Sequence, residues 1–405
     1  MGHTFRIMGT ASEVLDLSIC KQRDVYSPLQ AEGLDPISPG WRELRVRVVS
    51  ATREIETHIR TRGLLVRGLP CDGSSLVAYD LPVALELLHR SIPYKCGQKI
   101  ASVGELSLSG EVRPVSGIIP MVESAGRAGV SVILVPHANY EHALSVPGPM
   151  IVPVGTIHEA NDFLRGDIAP EILQGRYQPT PKPTARAVVA MSDIRGMEPQ
   201  VATVTKAAQE RKSVLLIGPA GSGKTMLARR YSTVMPPITD DERMHVTRIY
   251  SVAGLLHPSH DIETMQRPFR APHHTCSTAA IAGGGRSPRA GEVTLAHNGV
   301  LFLDELPEFP KATLEAVVNA HEDKMIRISR SDRTTTFPSD FVLVASMSAC
   351  PCGLRGSEYS DQCQCTSDQI ERYWNRIDGI RDLFDVEVEM FGCNELHTDA
   401  VEGDD

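Results

Sequence analysis

The stretch SVLLIGPAGSGKTMLARRYS, residues 213–232, decides how the second half of this chain is read. An apolar run meets a glycine-rich turn, and a helix-forming segment follows. Gly218, Gly223, Lys224 and Thr225 fit the spacing G-x-x-x-x-G-K-[ST]. The loop Gly218, Pro219, Ala220, Gly221, Ser222 and Gly223 would expose backbone N–H groups at a helix N-terminus. That end carries partial positive charge and favours phosphate. Lys224 would reach the β- and γ-phosphates, and Thr225 would ligate Mg²⁺, so ATP and Mg²⁺ are the expected ligands. The rival is a plain glycine turn with an exposed lysine; the strand–loop–helix context argues against it.

A second signal is NGVLFLDELPEF, residues 298–309. Four apolar residues precede Asp304 and Glu305. A buried strand ending in Asp-Glu sets two carboxylates at the edge of a parallel sheet, where ligands bind. Asp304 would hold Mg²⁺ through water and Glu305 would polarise the attacking water. A third apolar run, DFVLVASMS (340–348), would bring Ser348 to the same edge.

With 405 residues the chain is long enough for two or three domains. A net charge of -9 excludes a basic whole-chain surface, so nucleic acid would have to be held by local basic loops. No apolar run approaches a bilayer span, and MGHTFRIMGTASEVLDL (1–17) lacks a signal core. Nine cysteines do not read as a secreted disulfide framework, and the expected location is the cytoplasm, away from membranes.

Residues 1–166 read as a first domain of alternating strands and helices. ELRVRVVS (43–50) alternates polar and apolar residues, the pattern of a strand. YDLPVALELLHRS (79–91) reads as a helix, VESAGRAG (122–129) and VSVILVPH (130–137) as helix, turn and buried strand, and GTIHEANDFLRG (155–166) as a capped helix. The proline-rich, polar 167–187 reads as a linker. The phosphate-loop domain then covers 188–392, with a Cys-rich insert at 350–365 and an acidic tail at 393–405.

The run RPFRAPHHTCSTAAIAGGGRSPRAGEVTLAHNGVLFLDELPEF (267–309) resembles the Mg-chelatase-like AAA+ ATPases of the ComM (YifB) type. So does ACPCGLRGSEYSDQCQCTSDQIERYWNRI (349–377). YDLPVALELL (79–88) and GELSLSGEVRPVSGIIP (104–120) are similar to that family's Lon-protease-like N-terminal domain. The resemblance implies an α/β chain: a Lon-like (ribosomal S5 domain 2-like) α+β domain, then a P-loop AAA+ domain with a parallel sheet. It also implies a hexameric ring of like subunits, and a DNA helicase promoting branch migration on single-stranded or branched DNA.

Three departures qualify this. Ser348 stands where the family has the asparagine that senses the γ-phosphate. The family's arginine finger falls on Leu383, with Arg381 nearby but out of register. The lid with its second sensor arginine is missing before Asp405. The resemblance therefore implies nucleotide binding and, at most, slow hydrolysis, or a chain assembled with an intact homologue that supplies the finger. A Lon-type protease needs a serine and a lysine base. Ser75 would sit at the serine position, but the lysine position holds Ile119, so protease activity is not expected.

CPCGLRGSEYSDQCQC (350–365) brings Cys350, Cys352, Cys363 and Cys365 as two C-x-C pairs, enough for tetrahedral Zn²⁺. Reduced packing thiols and disulfides are the alternatives. His273 and His274 read as residues that satisfy loop backbone groups rather than as ligands. MIRISRSDRTTTFP (325–338) reads as a β-hairpin carrying Arg327, Arg330 and Arg333. GGGRSPRAGE (283–292) adds Arg286 and Arg289 in a flexible loop. By the resemblance these arginines would face a central pore and follow a phosphate backbone. The rival partner is a protein substrate.

Overall fold

The computed structural model describes residues 2–22, 26–71, 75–91, 94, 98–177, 190–256, 262, 265–285, 288–330 and 333–391. The chain forms two compact units. The first is Met1–Pro183 with Thr247–Met265, and the second is Thr184–Val246 with Gln266–Asp405.

The first unit is built on a seven-stranded mixed sheet. Its order is Gln30–Ala31, Leu64–Arg67, Ala11–Lys21, Gly2–Met8, Ile100–Ser102, Val132–Pro136, Met150–Val154. The long hairpin Gly2–Met8 with Ala11–Lys21 is antiparallel, whereas the last four strands of that order run parallel to one another. Helix Asp80–His89 buries nearly all of its length. Helix Ile118–Arg127 and strand Val132–Pro136 follow as the sequence implies. Helix Ile157–Arg165 is capped by the Thr156 hydroxyl, which accepts from Glu159 N–H, and it ends on Gly166 at φ 77°.

Two segments differ from their sequence reading. ELRVRVVS lies inside helix Pro39–Arg53, not in a strand. Pro39 opens that helix, and Trp41, Leu44, Val48 and Ala51 are buried at three- and four-residue spacing. The apparent alternation left Val46 exposed. Within 167–187, residues Pro170–Arg176 form a helix, again opened by a proline. Leu173 joins the first unit's core, and the Gln174 amide donates to Ile151 O at 3.0 Å. A segment that buries a leucine and bonds to a strand is part of a packed unit and not a free spacer. The rest of that segment, from 178, lies outside the described residues, as does 393–405.

Thr247–Met265 belongs with the first unit although it follows the phosphate loop in sequence. Gly117 N–H donates to Ser251 O at 2.8 Å, Ile119 N–H to Ser251 Oγ at 3.3 Å, and Arg248 pairs with Glu123 at 2.7 Å. Ile119, at the position where a protease lysine would stand, is fully buried, and Ser75 is exposed.

The second unit holds a five-stranded sheet, ordered Phe269–Arg270, Val300–Leu303, Val342–Met347, Val214–Ile217, Val386–Glu389. Every pairing is parallel. The three central strands are buried on both faces, which is why they read as unbroken apolar runs. Leu215, Leu301, Leu303, Leu343 and Ala345 pack on one side. Val214, Leu216, Val300, Phe302, Val342 and Val344 pack on the other. Strand Val342–Met347 lies between the phosphate-loop strand and the Asp-Glu strand, so the ends of all three converge on one edge.

Candidate functional site

The phosphate loop leaves strand Val214–Ile217 at Gly218 and enters helix Lys224–Val234. Gly218 has no room for a side chain: a Cβ there would lie 2.3 Å from Met390 O. Gly221 and Gly223 take positive φ, 77° and 81°, which curls the loop ahead of the helix. Lys224 Nζ lies across this curl, donating to Gly218 O at 2.9 Å and Pro219 O at 2.6 Å. Burial pushes the Lys224 ammonium below its usual pKa, while the Asp304 and Glu305 carboxylates act to raise it. Ser222 is buried and donates to Pro219 O at 2.9 Å.

The carboxylate strand meets this loop directly. Thr225 Oγ1 donates to Asp304 Oδ2 at 2.9 Å. The other oxygen, Oδ1, accepts from Ser346 Oγ, and Ser346 Oγ in turn accepts from Glu305 N–H at 3.2 Å. Thr225 and Asp304 thus offer a hydroxyl and a carboxylate side by side, the donor set Mg²⁺ takes beside phosphate. Among the described residues Glu305 is one of four non-glycine residues with positive φ, at 56°. That conformation is uncommon for a residue with a Cβ and is held here by its neighbours. Its side chain is 68% exposed and points to His274, with Nδ1 to Oε2 at 3.5 Å.

Sequence reasoning missed two of these residues. Ser346 sits inside an apolar strand, and only the register reveals it: Leu303 pairs with Ala345, which sets Asp304 level with Ser346. Ser348 lies just beyond the end of that strand and is half-buried. In sequence His274 has no distinction from its neighbour His273, and both read as loop residues. His273 does serve the loop, its Nδ1 lying 2.9 Å from Thr275 Oγ1. His274 instead faces the second carboxylate.

Leu383 packs against the core of the second unit. Arg381 is bound by both oxygens of Glu387, at 2.8 and 3.2 Å, and its guanidinium lies 4.9 Å from the Trp374 ring centroid.

The basic segments form two hairpins. Met325–Arg330 pairs with Arg333–Pro338, closing on Arg330 opposite Arg333. Arg327 is exposed on the first strand; the Arg330 and Arg333 side chains lie outside the described residues. The described ends of GGGRSPRAGE form a short ladder, Gly283 with Ala290 and Gly284 with Arg289, where the sequence reads as a flexible loop. Gly283 has φ 96°, and a Cβ there would sit 2.6 Å from Arg289 O and 3.1 Å from Ile328 Cδ1. Glycine is thus required where the ladder closes and the second hairpin approaches. Arg289 is exposed, and Arg286 lies outside the described residues.

Cys350, Cys352, Cys363 and Cys365 gather with their sulfurs within 4.8 Å of one another, a set able to hold a metal ion. Burial acts to raise the Cys350 thiol, but the Arg355 backbone, its thiol neighbours and Gly353 outweigh it and bring it down to about 7.

A parallel sheet, a phosphate loop and a paired Asp-Glu strand end define the second unit as a P-loop nucleoside-triphosphatase fold. The family profile of magnesium chelatase subunit ChlI matches residues 190–397, and a second ChlI profile matches 39–139. The chain belongs to this Mg-chelatase-like AAA+ family. It is 35% identical over 350 residues to the uncharacterized protein YifB of Escherichia coli, covering 86% of this chain and 67% of YifB. It is 35% identical over 338 residues to the competence protein ComM of Haemophilus influenzae, covering 82% of this chain and 64% of ComM. The chain thus spans no more than about two thirds of these curated relatives. A shorter match, 34% identical over 113 residues, links 27% of the chain to 14% of Lon protease 2 of Syntrophobacter fumaroxidans. Among the described residues no helix is long and apolar enough to cross a membrane.

Proposed function

We propose that the chain is an ATP-binding AAA+ subunit that hydrolyses ATP and works as a ring on single-stranded or branched DNA in the cytoplasm. The observation that carries the nucleotide reading is the Thr225–Asp304–Ser346 chain of hydrogen bonds at the mouth of the phosphate loop. Thr225 and Asp304 would hold Mg²⁺, which supplies charge neutralisation to the phosphates. Lys224 holds the β- and γ-phosphates, the loop N–H groups cradle them, and Glu305 accepts the proton of the attacking water. His274 keeps that carboxylate in place. The DNA reading is supported by the exposed Arg289 and Arg327 on two adjoining hairpins and by the relationship to a competence protein. A zinc ion on the four cysteines completes the cofactors.

A second reading is a hydrolysis-impaired partner of an intact homologue. Leu383, packed against the core at the position of the family's arginine, and Arg381, engaged by Glu387, favour it, because the first carries no charge and the second is already paired. Turnover measured with and without single-stranded and branched DNA tests both. DNA-stimulated turnover supports the motor. Nucleotide binding without turnover, restored on mixing with an intact homologue, supports the partner. Stimulation by a protein and not by DNA would favour a chelatase-like or chaperone-like role.

A further inference from the structure

The segment from Cys350 to Cys365 has little of its own to hold it. Most of it is exposed, and its single 3-10 turn, Ser360–Gln362, buries no residue. Yet its two ends are anchored. Cys350 closely follows strand Val342–Met347, and Cys365 directly precedes Thr366, the capping residue of helix Ser367–Trp374. That helix reaches back to the strand end: Trp374 Nε1 donates to Ala349 O at 3.3 Å. The strand end itself meets the phosphate loop, since Gly218 N–H donates to Met347 O at 3.1 Å, and a Cβ added to Gly356 would come within 3.9 Å of Pro219 Cδ.

The sulfurs converge across this exposed turn, which has only local hydrogen bonds of its own, such as Ser357 N–H to Leu354 O and Cys363 N–H to Ser360 O. Cys350 and Cys352 are 3.4 Å apart, Cys352 and Cys363 3.5 Å, and Cys350 and Cys363 3.7 Å. A disulfide needs about 2.05 Å. A tetrahedron of thiolates with metal–sulfur bonds of about 2.3 Å has edges of about 3.8 Å. These three separations lie near the second geometry, and Cys365 Sγ is within 4.8 Å of each; four soft thiolates so gathered suit zinc or iron, of which zinc needs no redox partner.

We propose that Cys350, Cys352, Cys363 and Cys365 bind one zinc ion as a structural clip, and that this clip fixes the end of the Ser346 strand against the phosphate loop. The second half of this inference rests on the nucleotide reading above. Closing the loop removes chain entropy that no apolar core repays here. Because Ser346 holds Asp304, a strand end held by zinc presents Asp304 in one position. Metal and nucleotide then favour one another, and by linkage each raises the other's affinity by the same factor.

The test uses the full chain purified without added metal. Metal analysis should give about one zinc per chain, released when a mercurial reagent titrates the cluster thiols. Cobalt exchanged into the site should show the charge-transfer bands of a tetrahedral tetrathiolate. Removing zinc should weaken binding of a magnesium-bound, non-hydrolysable ATP analogue on the order of tenfold, with recovery on adding zinc back. The analogue should in turn slow zinc transfer to a chelating dye. Cys352→Ser with Cys365→Ser should lose the metal; if that variant does not fold, the cobalt spectrum of the parent still decides. Folded protein with near-zero zinc and no cobalt bands, or with the cysteines oxidised in pairs, overturns the site. Equal analogue affinity with and without zinc overturns the coupling. Lys224→Ala should keep its zinc while losing nucleotide. A parent that holds zinc but binds no nucleotide sinks the nucleotide reading and the coupling, and leaves the metal site standing.

Discussion

Thr225 Oγ1 donates to Asp304 Oδ2 at 2.9 Å, joining the first turn of the phosphate-loop helix to the end of a strand 79 residues further along the chain. A hydroxyl and a carboxylate in direct contact beside a phosphate cradle form a divalent-cation site only if both remain polar and one remains charged. Asp304→Asn keeps the shape and removes the charge. Nucleotide binding without Mg²⁺ should change little, and the strengthening by Mg²⁺ should fall by about tenfold or more, near 1.4 kcal/mol. Lys224→Ala should abolish binding in either condition. Calorimetry with a non-hydrolysable analogue, with and without Mg²⁺, checks both; an Mg²⁺ effect intact in Asp304→Asn would remove Asp304 from the cation site.

Ser346 and Ser348 separate by the same method. Ser346 is buried and donates to Asp304, so Ser346→Ala leaves a carboxylate oxygen without its donor. That should cost roughly 1–3 kcal/mol of stability and weaken Mg²⁺-dependent binding. Ser348→Ala should leave stability within about 0.5 kcal/mol and, if Ser348 senses the γ-phosphate, should slow turnover. Thermal melting of both variants beside turnover assigns the roles; equal melting losses would put Ser348 in the same buried network.

What the sequence made legible follows from range. The phosphate loop is local: its strand, glycines and helix are contiguous, so spacing alone identified Lys224 and Thr225. The Asp304–Glu305 strand was legible because parallel strands buried on both faces are apolar throughout. Ser346 was not, because its role depends on a parallel register between segments more than forty residues apart in sequence. Val46 and its neighbours misled because a helix with arginines between valines mimics strand alternation over eight residues of 43–50. Only the full set Trp41, Leu44, Val48 and Ala51 reveals the helical period. Helix Pro170–Arg176 was hidden by the prolines and polar residues around it, and the ladder at Gly283 by its run of glycines.

His274 and Glu305 yield a prediction about rate. Glu305→Gln should retain nucleotide and lose roughly 10²–10⁴-fold in turnover, as loss of a general base does. His274→Ala removes only a group 3.5 Å from that carboxylate and should lower turnover on the order of tenfold, with analogue affinity unchanged. Single-turnover assays separate the chemical step from binding. A His274→Ala variant that binds nucleotide more weakly and turns over normally would place His274 on the ligand instead.

The second unit should lose stability in acid in two stages. His297 is buried, its Nδ1 accepting from Asp340 N–H at 3.0 Å and its Nε2 without a partner among the described residues. Burial holds the imidazole neutral, with its pKa down at about 4 against 6.5, despite Asp340. The unfolded chain takes up a proton below 6.5 and the folded one does not. Stability from this group is therefore full above about pH 6.5 and falls between 6.5 and 4, by at most about 3 kcal/mol. Glu242 follows lower down. Burial acts to raise it, but the Arg267 hydrogen bonds outweigh that and hold it at about 2 against 4.5. Its contribution is present above 4.5 and is lost as pH falls toward 2. Melting temperature against pH should decline from about 6.5 downward, and His297→Asn should flatten the upper part of that decline while lowering stability at pH 7. A parent profile flat between pH 6.5 and 4 would show that His297 is protonated in the folded state.

The hairpin arginines yield a prediction about salt. With a net charge of -9, DNA must be met by local cationic groups, and Arg289 and Arg327 are exposed on hairpins that approach each other at Gly283 and Ile328. Each phosphate neutralised on a single strand adds roughly 0.7 to the dependence of log affinity on log salt. Arg289→Glu with Arg327→Glu should therefore weaken single-strand binding and flatten that slope by roughly 1.4 if each arginine meets one phosphate. Nucleotide affinity should be unchanged, because neither residue lies among the groups that hold Lys224, Thr225 or Asp304. The variant's melting temperature should match the parent's, as expected for exposed positions. Fluorescence anisotropy of a labelled oligonucleotide across a salt series, with a nucleotide analogue present, reads all of this. A double variant whose affinity and slope equal the parent's would remove these hairpins from the DNA path. A parent that binds no DNA at low salt would transfer the argument to a protein substrate, since the same exposed arginines would then need an acidic surface to meet.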